Sequence, residues 1–153
     1  MGIGYVDSVV LYNRYVDPDS EKEYYYGTLF DDVRIELTQG ANIQKSGIDS
    51  ADTCKVKIPN DGSLPKPYMT PEIWQSEGEK SSCFTINTAG TDFLVITKKT
   101  ELGIDIEVPD GLVDSDTYDG GFFQYIKETY GHAYKVTTSN VYNVIPRFEV
   151  GGK

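Results

Sequence analysis

The feature that most constrains the fold of this chain is a period-two alternation of apolar and polar residues in short runs. Residues 33–38, 53–58 and 104–108 all alternate in this way. Successive side chains of a β-strand point to opposite faces, so each run predicts a half-buried strand. Turn sequences such as 17–20 and 59–62 separate the runs. Such close spacing favours antiparallel pairing.

Other strands are predicted where apolar and aromatic residues cluster without strict alternation. Residues 8–15 are apolar on both faces and predict a strand buried on both sides. Further strands are predicted to start at 24–26 and to cover the ranges 83–86, 92–97, 134–138 and 144–150. Pro146 favours an edge or a bulge in the last of them.

One segment has helical spacing instead. Phe122, Ile126 and Tyr130 recur on one face, and Gly131 provides a stop, so a short helix is predicted within 120–131. We therefore predict a single domain over 1–153 of the all-β class, mainly antiparallel. It would be a small β-barrel or sandwich of about seven to nine strands with one short helix and a long irregular insertion.

That insertion covers residues 59–82 and is rich in proline. Long irregular segments inside a compact domain are usually functional or disordered. Thr70 and Pro71 could open a short helix, as cap and first residue. Trp74 is the only tryptophan. It either anchors the insertion to the rest of the domain or contacts a partner protein.

Charge and composition exclude several classes of partner. Fourteen basic and 24 acidic residues give a net charge of −10, which disfavours binding to nucleic acid or to an anionic membrane surface. No stretch is apolar enough for a transmembrane helix, and the first residues resemble no signal peptide. We therefore expect a soluble protein that is not secreted. Its two cysteines make no disulfide framework, and Cys54 alternates with apolar residues as a core side chain would.

Catalysis and metal binding find little support. The chain has one histidine, His132, and no motif surrounds it or any serine or cysteine. Residues 114–120 resemble a calcium loop, but Tyr118, Asp119 and Tyr125 stand where a carboxylate or amide, a glycine and a glutamate are needed. An acidic loop that stabilises the helix N-terminus explains this segment better. We predict no enzyme activity, no metal and no cofactor.

Four blocks in order resemble a family of small proteins from the head–tail morphogenesis region of tailed phages and prophages of Gram-positive bacteria. The opening block, residues 7–15, resembles a D-x-T-x-Y-N-K-Y start. Residues 45–59 are similar to a K-x-G-x-x-S-A-D block followed by V-x-I-P. Residues 93–98 resemble D-x-I-V-K-G, and residues 146–153 are close to an H-W-E-V-G-G-K ending.

This resemblance implies a structural role. Such proteins are neck components, head-completion or stopper subunits between portal and tail. The chain is thus expected to be a virion structural protein, a head–tail connector in a homo-oligomeric ring, with portal or adaptor and tail proteins as partners. It would occupy the host cytoplasm during assembly and then the virion. No membrane and no sequence-specific nucleic acid would be bound.

Ring contacts are heterologous, so each subunit needs two different complementary surfaces. The residues predicted to form them lie in the insertion and the C-terminal segment: Tyr68, Ile73, Trp74, Phe148 and Lys153. The alternative is a ligand-binding β module, most plausibly for carbohydrate, because twelve tyrosines could offer flat aromatic faces.

Overall fold

The computed structural model describes residues 6–38, 53–60, 62, 64–89, 91–142 and 147–153. The strands are β1 (Asp7–Val16), β2 (Glu23–Thr38), β3 (Thr53–Pro59), β4 (Phe93–Lys99), β5 (Ile104–Asp105), β6 (Gly111–Asp114), β7 (Ala133–Tyr142) and β8 (Arg147–Gly152). The two α-helices are α1 (Pro71–Ser76) and α2 (Phe122–Tyr130). Residues 45–52 of the second sequence block, and Pro146, lie outside the described residues.

Six of the strands pair in a ring. The hydrogen-bonded order is β1-β2-β3-β8-β7-β4, and β4 pairs again with β1, so the ladder returns to its start. The pairings between these strands are antiparallel, while β5 is added to β4 and β6 to β2. The predicted all-β, mainly antiparallel class is confirmed, and the described strands number eight, within the predicted range.

β2 joins two runs that the sequence predicted as separate strands. Asp7 pairs with Val33 and Val9 pairs with Phe30, so β2 carries one extra residue between them. Asp32 has φ of 58° there, a left-handed conformation that Asp tolerates better than most residues. This bulge lets the first half of β2 pair with β6 and the second half with β3.

The core has two layers because β1 is buried on both faces, as predicted. Val9 and Leu11 point into the ring, where they join the larger apolar cluster. Val10 and Tyr12 point outward into a second cluster, which α2 covers with Phe122 and other side chains. Helix α2 forms where the helical spacing predicted it. Its last residue is followed by Gly131, which has φ of 85°.

The connection from β3 to β4 covers the ring at the end where β1 finishes. Tyr68 packs against Phe84 and Phe148, with ring centroids 5.5 and 5.1 Å apart. Helix α1 begins at Pro71 as predicted, although the Thr70 side chain makes no capping hydrogen bond. This segment therefore supplies part of the core.

Three predicted strands need correction. Residues 83–86 form no strand but a single bridge between Phe84 and Tyr68, because the Thr85 N–H donates to the Asn13 side chain instead of to a neighbouring strand. The strand predicted over 104–108 stops at Asp105, because after the Ile106 N–H bonds to the Thr97 carbonyl the segment leaves the ladder, and its Pro109 carbonyl accepts from the Tyr12 hydroxyl instead. The last predicted strand, 144–150, is described from Arg147 and runs on to Gly152. β6, by contrast, was not predicted.

None of the described helices is both long and apolar enough to cross a membrane.

Candidate functional site: two charged surfaces

The structure divides the five predicted interface residues into two groups. Trp74 and Phe148 are 1 % and 2 % exposed, and Tyr68 is half-buried beside Phe148. Ile73 is 56 % exposed, and Lys153 is exposed at the other end of the ring. The first three residues therefore shape the covered end from within, and only the last two have exposed side chains.

Trp74 is placed as the anchor of the insertion. Its ring lies edge-on to Tyr26 at 5.6 Å and to Tyr15 at 6.4 Å between centroids. The Lys80 ammonium lies 4.2 Å from the Tyr15 ring centroid and donates to the Glu77 carbonyl at 2.7 Å. These contacts fix the insertion to the ends of β1 and β2.

Cys54 and the backbone of His132 both take part in the fold. Cys54 lies inside the ring, and burial raises the pKa of its thiol to about 12, which keeps the sulfur protonated. The His132 carbonyl accepts a hydrogen bond from the Ile96 N–H. Within the described ranges, no group of three or more His, Cys, Asp or Glu side chains is arranged to hold a metal ion.

The acidic loop before α2 contributes a hydroxyl to the helix start. The Ser115 Oγ accepts from the Phe122 N–H at 2.9 Å and donates to Glu23 Oε1 at 2.6 Å. Glu23 in turn pairs with Arg14. Hydrogen bonds of the loop thus link α2 to β1 and β2. The start of the helix is therefore not stabilised by acidic charge alone.

Two buried polar networks also serve the fold. Asp92 accepts hydrogen bonds from the Asn13 amide and from the Arg14 and Asn87 N–H groups. Burial raises its pKa to about 6, against the opposing effect of these bonds. At the far end of the ring, Lys99 forms a buried ion pair with Asp7.

The outer surface of the ring carries an open groove of about 330 Å³, which we call the acidic groove. Its apolar and hydroxyl lining is Ser8, Val10, Leu29, Thr97, Ile106 and Val108. Its charged lining is Asp31, Lys98, Asp105, Glu107 and Asp110. The groove thus combines a largely uncharged lining with four carboxylates and a single ammonium group.

The groove is held open by the segment after β5. The Ile106 N–H donates to the Thr97 carbonyl at 2.8 Å, and the Tyr12 hydroxyl donates to the Pro109 carbonyl. Asp31, beside the β2 bulge, accepts from the Ser8 hydroxyl at 2.7 Å. The wall of the groove is therefore fixed at both ends to β1 and β4.

The carboxylates of the groove are largely uncompensated. Among the described residues, Asp105, Glu107 and Asp110 form no ion pair within 4 Å, although Lys98 lies opposite Asp105 in the ladder. Leu29 is 39 % exposed beside them. Exposed apolar surface bordered by unpaired charge is typical of a protein-docking surface.

A second surface, which we call the basic face, lies on the outside of β2, β3 and β8. Its charged residues are Arg34, Glu36, Lys55, Lys57, Arg147, Glu149 and Lys153, five cations against two carboxylates. Lys57 and Arg34 both pair with Glu36, at 3.2 and 3.4 Å. Lys55 and Lys153 form no ion pair with any residue that the structure describes.

A shallow hollow of about 350 Å³ lies in the basic face beside these two lysines. Gly151 is part of its lining, and a side chain at this position would clash with the Thr138 hydroxyl. The threonines 38, 53, 137 and 138 contribute hydroxyl groups to the lining. The face is therefore concave and polar, where the acidic groove is partly apolar.

The ring order sets the centres of the two surfaces on different sides. The acidic groove is centred on β1, which pairs with β2 and β4, whereas β8 of the basic face pairs with β3 and β7. In a closed order of six strands, β1 and β8 are three steps apart in either direction. One chain therefore presents surfaces of unlike charge whose centres lie on different sides of the ring.

Several of the described tyrosines that suggested a carbohydrate site are used in packing. Tyr12, Tyr25 and Tyr134 are buried, and Tyr12 stacks on Phe93 at 4.9 Å between centroids. Trp74 is buried as well, so it offers no exposed face to a sugar.

Sequence reasoning missed both surfaces. The alternating runs 53–58 and 104–108 put Lys55, Asp105 and Glu107 on polar strand faces, but a period-two pattern gives the face of a residue and not its neighbours. The groove depends on the Asp32 bulge and on the segment after β5, for which the sequence carries no clear signal.

Comparison with known proteins places residues 5–153 in a family of unknown function, DUF6751, and the chain belongs to that family. No curated protein and no solved structure matches it.

Proposed function

We propose that this member of DUF6751 is a structural subunit of a phage or prophage virion, a head–tail connector that acts by assembling with copies of itself and with portal and tail proteins. The observation that carries the proposal is the pair of unlike charged surfaces, centred on different strands of one ring-like sheet. A ring built from heterologous contacts needs two different, complementary surfaces on each subunit. The four sequence blocks that resemble phage neck proteins support the same role.

The use of polar residues inside the domain also supports assembly over catalysis. Asp92, Lys99 and Cys54 are each buried and committed to hydrogen bonds, an ion pair or the core. The charged residues that remain available lie on the outside of the ring. Exterior charge of this kind sets association and its specificity more than it sets fold stability.

The proposal is tested in a bacterial strain whose prophage carries this gene. After induction, tailed particles are purified and examined by quantitative mass spectrometry and by immunogold labelling. We expect a small fixed number of copies per particle and labels at the junction of head and tail. Removal of the gene should leave full-length tails and filled heads that do not join.

The matched pair consists of two strains. In one, the gene carries an early stop codon; the other is the same strain with the intact gene supplied from a plasmid. Complementation should restore joined particles. Normal infectious particles that lack the chain would contradict the proposal. Ile73→Glu changes an exposed side chain of the insertion, whereas a deletion of residues 62–80 would remove the buried Trp74 and the half-buried Tyr68 and so disturb the core.

A further inference from the structure

We infer that the acidic groove of one copy of this chain docks the basic face of a second copy. The inference rests on the proposed assembly function and names the two surfaces that would make the subunit contact. It is carried by charge complementarity and by the position of the two surfaces in the ring order.

The groove and the basic face carry opposite charge, and charged side chains on both surfaces are exposed. The groove has four carboxylates against one ammonium, and Glu107 and Asp110 are exposed. On the basic face, Lys55 and Lys153 are exposed and form no ion pair among the described residues. Contact between the surfaces would therefore pair carboxylates with ammonium groups that form no ion pair within 4 Å in the described part of one chain, although Lys55 already interacts electrostatically with Glu36 across the ladder.

The same charges disfavour other pairings of two copies. Groove against groove would place eight carboxylates together against the two copies of Lys98. Face against face would bring both pairs of free lysines together. A two-fold symmetric dimer through either surface is therefore repelled, and only a head-to-tail contact joins opposite charges.

The position of the surfaces agrees with this geometry. Because β1 and β8 lie opposite each other in the six-strand order, a head-to-tail contact leaves one free groove and one free face on the dimer. A third copy can then add in the same way. Repetition of one rotation gives a closed ring if the rotation closes and a filament if it does not.

The dependence of self-association on salt concentration distinguishes this contact from non-specific attraction. Two chains of charge −10 repel each other at long range, but at 0.1 M salt that repulsion is screened beyond about 10 Å. Contact pairs between the surfaces persist there and weaken near about 1 M salt. Self-association should therefore be strongest near 0.1 M salt and weaker at both lower and higher salt.

The test uses two charge-reversed chains and sedimentation velocity at 0.1 M salt. The face variant is Lys55→Glu with Lys153→Glu, and the groove variant is Glu107→Lys with Asp110→Lys. Each variant alone should self-associate at least about tenfold more weakly than the natural chain, because two attractive contacts become repulsive. An equimolar mixture should associate again, since the reversed face of one variant now fits the reversed groove of the other.

A control reverses two exposed carboxylates away from both surfaces, Asp19→Lys with Glu79→Lys. This variant should associate as well as the natural chain or better, because its net charge is less negative. Far-ultraviolet circular dichroism verifies that every variant keeps its β-sheet content.

The inference is overturned if the natural chain stays monomeric at all concentrations tested, if single variants associate unchanged, or if the mixture fails to recover. The failure of the inference and the failure of the proposed function are distinguishable. A chain that is found at the head–tail junction but gives no charge-swap recovery keeps its function and loses this interface. A chain that recovers in the mixture but is absent from particles keeps the interface and loses the proposed function.

Discussion

Replacement of Lys99 by methionine should be among the most destabilising single changes on this chain. The Lys99 ammonium donates to the Ile35 carbonyl at 2.9 Å and contacts Asp7 Oδ2 at 3.4 Å. Only 9 % of the Lys99 side chain and 4 % of the Asp7 side chain are exposed. Glu101 also contacts the ammonium at 3.4 Å, but it is 77 % exposed and adds little.

The expected loss of stability follows from the contacts that Asp7 keeps when methionine replaces Lys99. Asp7 would keep one hydrogen bond, from the Ile35 N–H at 2.9 Å, and would lose its cation while remaining buried. Removal of one partner from a buried ion pair costs about 3–5 kcal/mol. Because a domain of this kind has a free energy of unfolding of about 5–15 kcal/mol, the loss would be a large fraction of the total.

The double variant Lys99→Met with Asp7→Asn should lose less than the two single variants added together. Asparagine can still accept from the Ile35 N–H, and no buried charge remains without a partner. We expect a coupling free energy of about 2 kcal/mol or more between the two sites.

Urea unfolding at pH 7 measures these values, with the fluorescence of the buried Trp74 as the signal. The matched control is Lys98→Met, because Lys98 directly precedes Lys99 but its side chain is exposed. This control should change the free energy of unfolding by less than about 0.5 kcal/mol. A loss under about 1 kcal/mol for Lys99→Met, or additive single variants, would refute the reasoning.

Three further predictions concern stability. Burial raises the pKa of Asp92 to about 6. The protonated Asp92 carboxyl therefore stabilises the fold by about 3 kcal/mol below about pH 4, and this contribution is lost as the pH rises through about 6. A carboxyl carbon NMR titration with a midpoint below about 4 would contradict this. Gly152→Ala should cost about 1–3 kcal/mol, because its Cβ would lie 2.8 Å from the Lys135 carbonyl oxygen; calorimetry showing an unchanged melting temperature would count against it. Trp74→Ala should cost about 3–5 kcal/mol in thermal unfolding followed by circular dichroism, and a loss no larger than that of Ile73→Ala would show that Trp74 is not an anchor.

The alternating runs were sufficient to predict the class of the fold. Residues 33–38 and 53–58 lie within strands because one face had to be buried, and that requirement is local. The double burial of β1 was equally readable, since residues 8–15 are apolar on both faces. Helix α2 was found because its period differs from that of every neighbouring segment.

What escaped prediction depends on contacts between distant segments. The fusion of two runs into β2 needs the Asp32 bulge, which forms against β1. Residues 83–86 form no strand because the Thr85 N–H donates to the side chain of Asn13, which is far away in the sequence. The two charged surfaces follow from the ring order, and a single sequence does not contain that order.

Carbodiimide cross-linking of assembled chains tests the proposed contact between copies most directly, because this reagent joins only carboxylates and amines already in contact. Equal amounts of ¹⁴N- and ¹⁵N-labelled chain at 0.1 M salt allow links between copies to be recognised by mass. We expect mixed-isotope links from Lys55 or Lys153 to Glu107 or Asp110. Mixed links that join other surfaces while these four residues stay unlinked would contradict the head-to-tail contact.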